Sequence, residues 1–242
     1  MSGRIWIVLP GYNVGRHLDT LVPAIRENAP EDAEICIVDD GSTDDTAVRA
    51  AELGIELRRH RVNLGKGRAL QTGFEAALEA EAAAVITMDA DGQHPPEELG
   101  RFIEAWRQGW PVVVGNRMDA NANMPWLRKR TNEFTSSVIS RLARATIRDS
   151  QNGYRLFDAE VLRRIELESR RYDMESEILI KAGALGYRIG SVPVSTVYRD
   201  EHSSIHPFVD TLRFIRLVWR SRRWRRNAGR QCLVQQFSQK DE

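Results

Sequence analysis

At 242 residues the chain is long enough for one large domain with a substantial core, and 42% hydrophobic against 29% charged content is ordinary for a soluble globular protein. Only Cys36 and Cys232 occur, far apart, which excludes a disulfide framework or a cysteine zinc site, and no run reaches the roughly 20 apolar residues of a spanning helix. The net charge of +1 hides an asymmetry: acids concentrate before about residue 105, whereas Arg213–Arg230 is dense in arginine, pointing to an anionic surface or ligand near that half.

The N-terminus reads MSGRIWIVLP, too short an apolar run for a signal peptide. Ile5–Pro10 is expected as a first strand, followed by a helical pattern in HLDTLVPAIREN. Glu34–Asp40 reads as a second strand with Cys36 as a small core residue, and Asp44–Leu53 as the next helix. Ile55–Arg59 suggests a third strand, Gly67–Ala83 an alanine-rich helix, and AVITM a fourth strand. A helix over Pro96–Gln108 and a fifth strand in PVVVGNR follow. Strand–helix alternation with continuous apolar strands argues for a parallel sheet covered on both faces, with ligands bound beyond the carboxyl ends of its strands.

The second half is less regular. Leu127–Ala145 and Tyr172–Leu185 have helical patterns, DSQNGYRLF leads into a strand, and YRIGSVPVSTVYR reads as a strand pair or one long strand. Pro207–Arg226 reads as a basic helix, so the expected organisation is a domain over 1–206 with an amphipathic helix and tail over 207–242.

The strand ends carry the chemistry: LPGYN, VDDGSTDDT, MDADGQH and VVGNR should share one rim. Singly, each has a bland explanation. Asp44 or Ser42 could cap the next helix, and Gly65–Gly67 could simply start one. Together they argue for a site. Asp89 and Asp91, separated by Ala90, can both face a hard cation from a sharp turn, and Gln93 can add a third oxygen, a set that suits Mg2+ or Mn2+. Capping of the helix begun at Pro95–Pro96 is the structural alternative, and His94 stays unassigned.

In this order LPGYN, VDDGSTDDT, NLGKGRAL, MDADGQHPP and VVGNR resemble the inverting GT-A glycosyltransferases of family 2, in the branch of dolichol- and polyprenol-phosphate mannosyl- and glucosyltransferases, over roughly residues 4 to 215. The resemblance implies an α/β, Rossmann-like, mostly parallel sheet flanked by helices, with a C-terminal basic amphipathic helix. It implies a nucleotide-sugar donor (GDP- or UDP-hexose), a divalent cation on the diphosphate, and a polyprenyl phosphate acceptor. Carried over, Pro10, Tyr12, Asn13, Val38, Asp39, Asp40, Lys66, Asp89 and Ala90 face the donor, and Asp89, Asp91 and Gln93 hold the metal. Arg117 and Arg128 grip the acceptor phosphate, Asp91 acts beside them in catalysis, and Asn132, Gln151, Glu177 and Arg199 line the acceptor side. Asp149 and Arg155 are further candidates. Two departures stand out: Val14 replaces the family's glutamate, and Ser203–Ser204 replaces a serine–lysine pair that Arg199 or His202 could offset.

The segment DTLRFIRLVWRSRRWRRNAGR interleaves Leu217, Trp219 and Trp224 with arginines, the composition of a helix at an anionic membrane surface. A core-docked helix with a solvated basic face is the alternative over 210–218. A nucleic-acid partner is not expected, because no recognised module precedes the tail and the acidic rim repels phosphates in the absence of metal. The sequence therefore predicts an enzyme at the cytoplasmic face of the membrane. A soluble or protein-bound acceptor, or a binding protein without turnover, is the rival. A nucleotidyltransferase lacks its glycine-rich arginine–lysine loop here.

Overall fold

The computed structural model describes residues 3–118, 126–169, 173–195 and 214–224, without the side chains of Leu127 and Arg128. The elements run β1 (Ile5–Gly11), α1 (Gly15–Asn28), β2 (Glu34–Asp39), α2 (Thr46–Glu52), β3 (Glu56–Arg59), α3 (Lys66–Glu79) and β4 (Ala84–Thr87). A 3₁₀ turn (Pro96–Glu98) leads into α4 (Leu99–Arg107), followed by β5 (Val112–Asn116), α5 (Trp126–Ala143), β6 (Arg155–Asp158), α6 (Ala159–Arg164), α7 (Asp173–Ala184) and β7 (Ile189–Pro193). Residues 214–224 form a last helix, α8.

The seven strands lie in the order β3-β2-β1-β4-β6-β5-β7. β1, β2, β3 and β4 are parallel, and β5 pairs in parallel with β7. The sheet is mostly parallel, as expected, with one exception: β6 enters between β4 and β5 and runs antiparallel to both. Because both neighbours oppose β6, they point the same way, so the carboxyl ends of β1, β2, β4 and β5 still share one rim. The amino end of β6 joins them there.

Every residue of β1 and β4 is buried, which is why their sequences are continuously apolar rather than alternating. One face of the sheet packs on α1 and α4 through Leu18, Val22, Ile25, Phe102 and Trp106. The other packs on α3, α5, α6 and α7 through Leu70, Phe74, Ile139, Val161 and Leu179. α3 lies so close to the sheet that a Cβ at Gly73 would stand 2.3 Å from Val8 Cγ1. Cys36 is a buried free thiol, pushed up to about 12 chiefly by burial, as a core cysteine should be.

Several expectations shift. α3 ends at Glu79 rather than Ala83, because the chain turns through Glu81 at φ 55° to enter β4. The helix expected at Asp44 begins at Thr46, since the Asp44 carboxylate accepts the Thr46 and Gly15 N–H groups and serves the starts of α2 and α1 together. α6 was not anticipated. Leu217 and Trp224, read as apolar residues of a membrane face, pack into the core on the α7 side of the sheet. Residues 207–213 and 225–242 lie outside the described residues.

Candidate active site

The rim is built from two turns locked to each other. Asn13, in the left-handed region at φ 57°, donates its N–H to Ser42 Oγ at 2.8 Å and accepts the Thr43 N–H on Oδ1 at 2.9 Å. Asp39 accepts the Ser42 N–H at 2.8 Å and pairs with Arg59 at 3.0 Å. Asp40 accepts the Leu64 and Gly65 N–H groups at 2.9 and 2.7 Å, and His60 Nδ1 stands 2.7 Å from the same carboxylate. A carboxylate only accepts, so this nitrogen carries the proton.

Asp40, expected at the nucleoside, thus has its oxygens engaged in shaping the loop that ends at Gly65, and that loop places Lys66 at the first position of α3. Val38, also expected at the donor, has a wholly buried side chain packed on α3 at Gly73. Pro10 and Ala90 are buried at their strand ends, and Tyr12 is exposed beside them.

A second group gathers where β4 ends. Lys66 Nζ lies 2.7 Å from Asp89 Oδ1 and 3.4 Å from Glu175 Oε2, and His94 Nε2 lies 3.5 Å from Asp89 Oδ2. Burial would raise the Asp89 carboxyl, but the charge of Lys66 and then the hydrogen bond from His94 hold it well below the usual carboxylate range. Burial disfavours the Lys66 ammonium too, and Asp89 and Glu175 outweigh it, holding the lysine above its ordinary value. Asp91 Oδ1 accepts the Gln93 N–H at 2.9 Å, which folds the segment into a tight turn. His94 is buried and tilts against the Tyr154 ring at 5.1 Å.

A divalent cation fits this donor set. Asp89, Asp91 and Gln93 offer only hard oxygen donors from one turn, and an ammonium already stands on Asp89. Among the described residues no three His, Cys, Asp or Glu side chains converge as a ready-made metal cluster. The remaining ligands would therefore be water and substrate oxygens, as is usual for Mg2+ and Mn2+.

The third group follows β5. Asp149 receives Arg117 Nε at 2.7 Å and Nη2 at 2.9 Å, and Asn132 Nδ2 at 2.7 Å. Burial would raise Asp149, and the bonds and charge from Arg117 bring it below the usual range. Asn132 was expected at the acceptor phosphate. Instead it is buried, donating from its amide nitrogen to Asp149 and accepting from the Ser136 hydroxyl on its oxygen, so it orients Asp149. Gln151 is exposed and donates to Thr135 Oγ1 at 3.2 Å.

Arg155 donates to the carbonyls of Asn152, Ser150 and Glu175 and staples the start of β6 to α7. Glu177 is a further correction. It is fully buried, accepts the Glu168 and Ser169 N–H groups at 2.8 and 2.7 Å, and pairs with Lys181 at 2.6 Å, away from the rim. Glu175, one carboxylate earlier, reaches the site in its place. The side chain of Arg128 and all of Arg199, His202 and Ser203–Ser204 lie outside the described residues.

The cation facing Asp39 had a readable signal. Arg59 pairs in register with Asp39 across β2 and β3, so the basic residues that end β3 fall beside the acids that end β2. The rim acids are expected to converge with Arg117, and the structure adds nearer partners: Arg59 on Asp39, His60 on Asp40 and Lys66 on Asp89.

Residues 6–166 match the family model described as glycosyl transferase family 2. The chain belongs to glycosyl transferase family 2. This family 2 glycosyltransferase is 31% identical to the undecaprenyl-phosphate mannosyltransferase of Micrococcus luteus, over 81% of this chain and 85% of that one. It is also 31% identical to the UDP-N-acetylglucosamine–dolichyl-phosphate N-acetylglucosaminyltransferase of Methanococcus voltae, over 81% and 86% of the two chains. Glucosyl-3-phosphoglycerate synthase from Mycobacterium tuberculosis, solved with Mn2+ and UDP-glucose, superposes with a TM-score of 0.68 at 19% identity, covering 93% of this chain and 79% of that one. That likeness shows the GT-A fold.

Proposed function

We propose that this glycosyltransferase moves a hexose, mannose or glucose, from a GDP- or UDP-sugar to a polyprenyl phosphate, with inversion, at the cytoplasmic face of the membrane. The observation that carries the reading is the meeting on one rim of an oxygen-rich turn at Asp89–Gln93 and an arginine held by a buried carboxylate at Arg117–Asp149. Relatives that name lipid-phosphate acceptors support the choice of acceptor.

In this reading Asp89, Asp91 and Gln93 hold a Mg2+ or Mn2+ ion, which when bound neutralises charge growing on the departing nucleoside diphosphate. Tyr12 and the Asn13–Ser42 turn frame the nucleoside, and Lys66 faces the diphosphate. The acceptor phosphate has a second pKa of about 6, so it is largely dianionic at neutral pH and needs positioning more than a general base. Arg117, held in place by Asp149, brings its positive charge to it, with Arg128 assigned beside it. A phosphate oxygen bonds to the anomeric carbon as the bond to the diphosphate oxygen breaks, inverting that carbon.

Contact with an anionic membrane is supported by Trp126, Phe134, Ile215 and Trp219, which are between 59% and 71% exposed among Lys129, Arg130, Arg216, Arg222 and Arg223. A soluble phosphorylated acceptor is the second reading, favoured by the docking of Leu217 and Trp224, which takes two apolar residues off any membrane face.

The test incubates the full chain with Mn2+ or Mg2+, a panel of nucleotide sugars, and either a short polyprenyl phosphate or a soluble phosphate monoester. A lipid-linked hexose is expected. Transfer only to the soluble arm favours the second reading, and no lipid-linked sugar from any donor overturns the first. Asp91→Ala should lose metal-dependent turnover, a drop on the order of a hundredfold or more, with the melting temperature retained.

A further inference from the structure

Asp89, assigned above as a metal ligand, already has both oxygens engaged. Lys66 Nζ stands 2.7 Å from Oδ1, and His94 Nε2 stands 3.5 Å from Oδ2. The same ammonium is 3.4 Å from Glu175 Oε2, whereas Glu175 Oε1 is buried with no hydrogen-bond partner. Asp89 is the more open of the two carboxylates, at 30% side-chain exposure against 12% for Glu175, with Lys66 between them at 19%. The chain approaches closely behind the pair: a Cβ at Gly153 would lie 2.9 Å from both Lys66 Nζ and Asp89 Oδ2. The ammonium therefore has one carboxylate facing the opening and one, deeper, with an unsatisfied oxygen.

We infer that Lys66 is a resident counter-cation that a divalent ion must displace from Asp89, and that Glu175 is the carboxylate that holds the lysine once displaced. Two cations cannot share Asp89 without mutual repulsion, so metal and ammonium compete for it. A nucleoside diphosphate relieves that competition, since its oxygens ligate the metal and its charge draws the ammonium away from Asp89. Metal and nucleotide binding become positively coupled through Lys66, and the coupling is reciprocal. Glu175 acts here as a positioning residue. The inference rests on the metal assignment above and adds the device that keeps the metal weakly held until the donor arrives.

The test is a Mn2+ titration of the full chain, reading free Mn2+ by electron paramagnetic resonance, with and without UDP or GDP. Wild type should bind Mn2+ weakly alone and more tightly with nucleotide. Lys66→Met should bind Mn2+ alone at least about tenfold more tightly than wild type, because the competitor is gone, and should gain less from nucleotide. Lys66→Arg, which keeps a cation there, should stay weak. Glu175→Gln should weaken Mn2+ binding alone, because the lysine loses its alternative carboxylate. Tighter binding by a damaged protein is not expected, so the gain in Lys66→Met separates this role from a structural one. If Lys66→Met binds Mn2+ alone no more tightly than wild type, while wild type still binds it with nucleotide, the lysine proposal is overturned and the metal assignment stands. If wild type binds no Mn2+ with either nucleotide, both fall.

Discussion

Gly153 has no positive φ and no turn to make; its lack of a side chain matters because Lys66 and Asp89 fill the space a methyl would take. Gly153→Ala should displace that ion pair without straining the backbone. The expected result is a fall in kcat/KM on the order of tenfold to a hundredfold with little change in melting temperature, measured side by side. Asp149 behaves differently, because it is the buried partner that compensates Arg117. Asp149→Asn removes the buried charge that faces Arg117 and should cost about 3–5 kcal/mol of stability by denaturant titration, with a raised KM for the acceptor. A small stability change there would mean that Arg117 finds another partner easily.

At the scale of elements, α8 docks through Leu217 and Trp224, and one carboxylate gathers its polar contacts. Glu168 accepts from Arg220 Nη2 and Trp224 Nε1, both at 2.8 Å, and lies 3.3 Å from Lys181. Burial pushes Glu168 up, but the bond from Arg220, the charge of Lys181 and the Trp224 bond outweigh it and hold it at about 2, against an ordinary 4.5. A depressed carboxylate pKa means the anchoring is fully present above pH 4.5 and is lost as pH falls through about 2. Tryptophan fluorescence should report release of α8 in that window. Glu168 is 41% exposed, so added salt should weaken the anchor, and Glu168→Gln should remove the acid transition. If Glu168→Gln shows the same transition, the anchor lies elsewhere.

At the scale of the molecule, the exposed aromatic and basic residues of α5 and α8 are separable from the core that holds the site. Replacing Trp126, Phe134 and Trp219 together by Gln should reduce binding to vesicles containing anionic lipid about tenfold or more, with the fold and nucleotide affinity retained. Unchanged vesicle binding would remove the membrane reading from these residues. The buried Leu217 and Trp224 should instead report on stability, since they belong to the core shared with α7.

The sequence by itself determined what is local. Continuous apolar runs identify the buried strands, and residues close together in one turn must share it: Asp39 with Asp40, and Asp89 with Asp91 and Gln93. Strand ends in a sheet of this kind fall on one rim, so the meeting of LPGYN, VDDGSTDDT, MDADGQH and VVGNR was legible without coordinates. Tertiary structure decided which distant groups meet. Glu175 and Glu177 sit two apart on α7, roughly 200° around a helix, so only one can face the rim, and helical periodicity does not say which. Packing chooses: α7 lies against α5 so closely that a Cβ at Gly183 would stand 2.0 Å from the Ala143 carbonyl, and in that setting Glu175 meets Lys66 while Glu177 closes the 168–169 loop. The antiparallel entry of β6 is likewise a tertiary result. It sets Gly153 behind Lys66 and Asp89, contacts between residues far apart in the chain whose pairing no local pattern encodes.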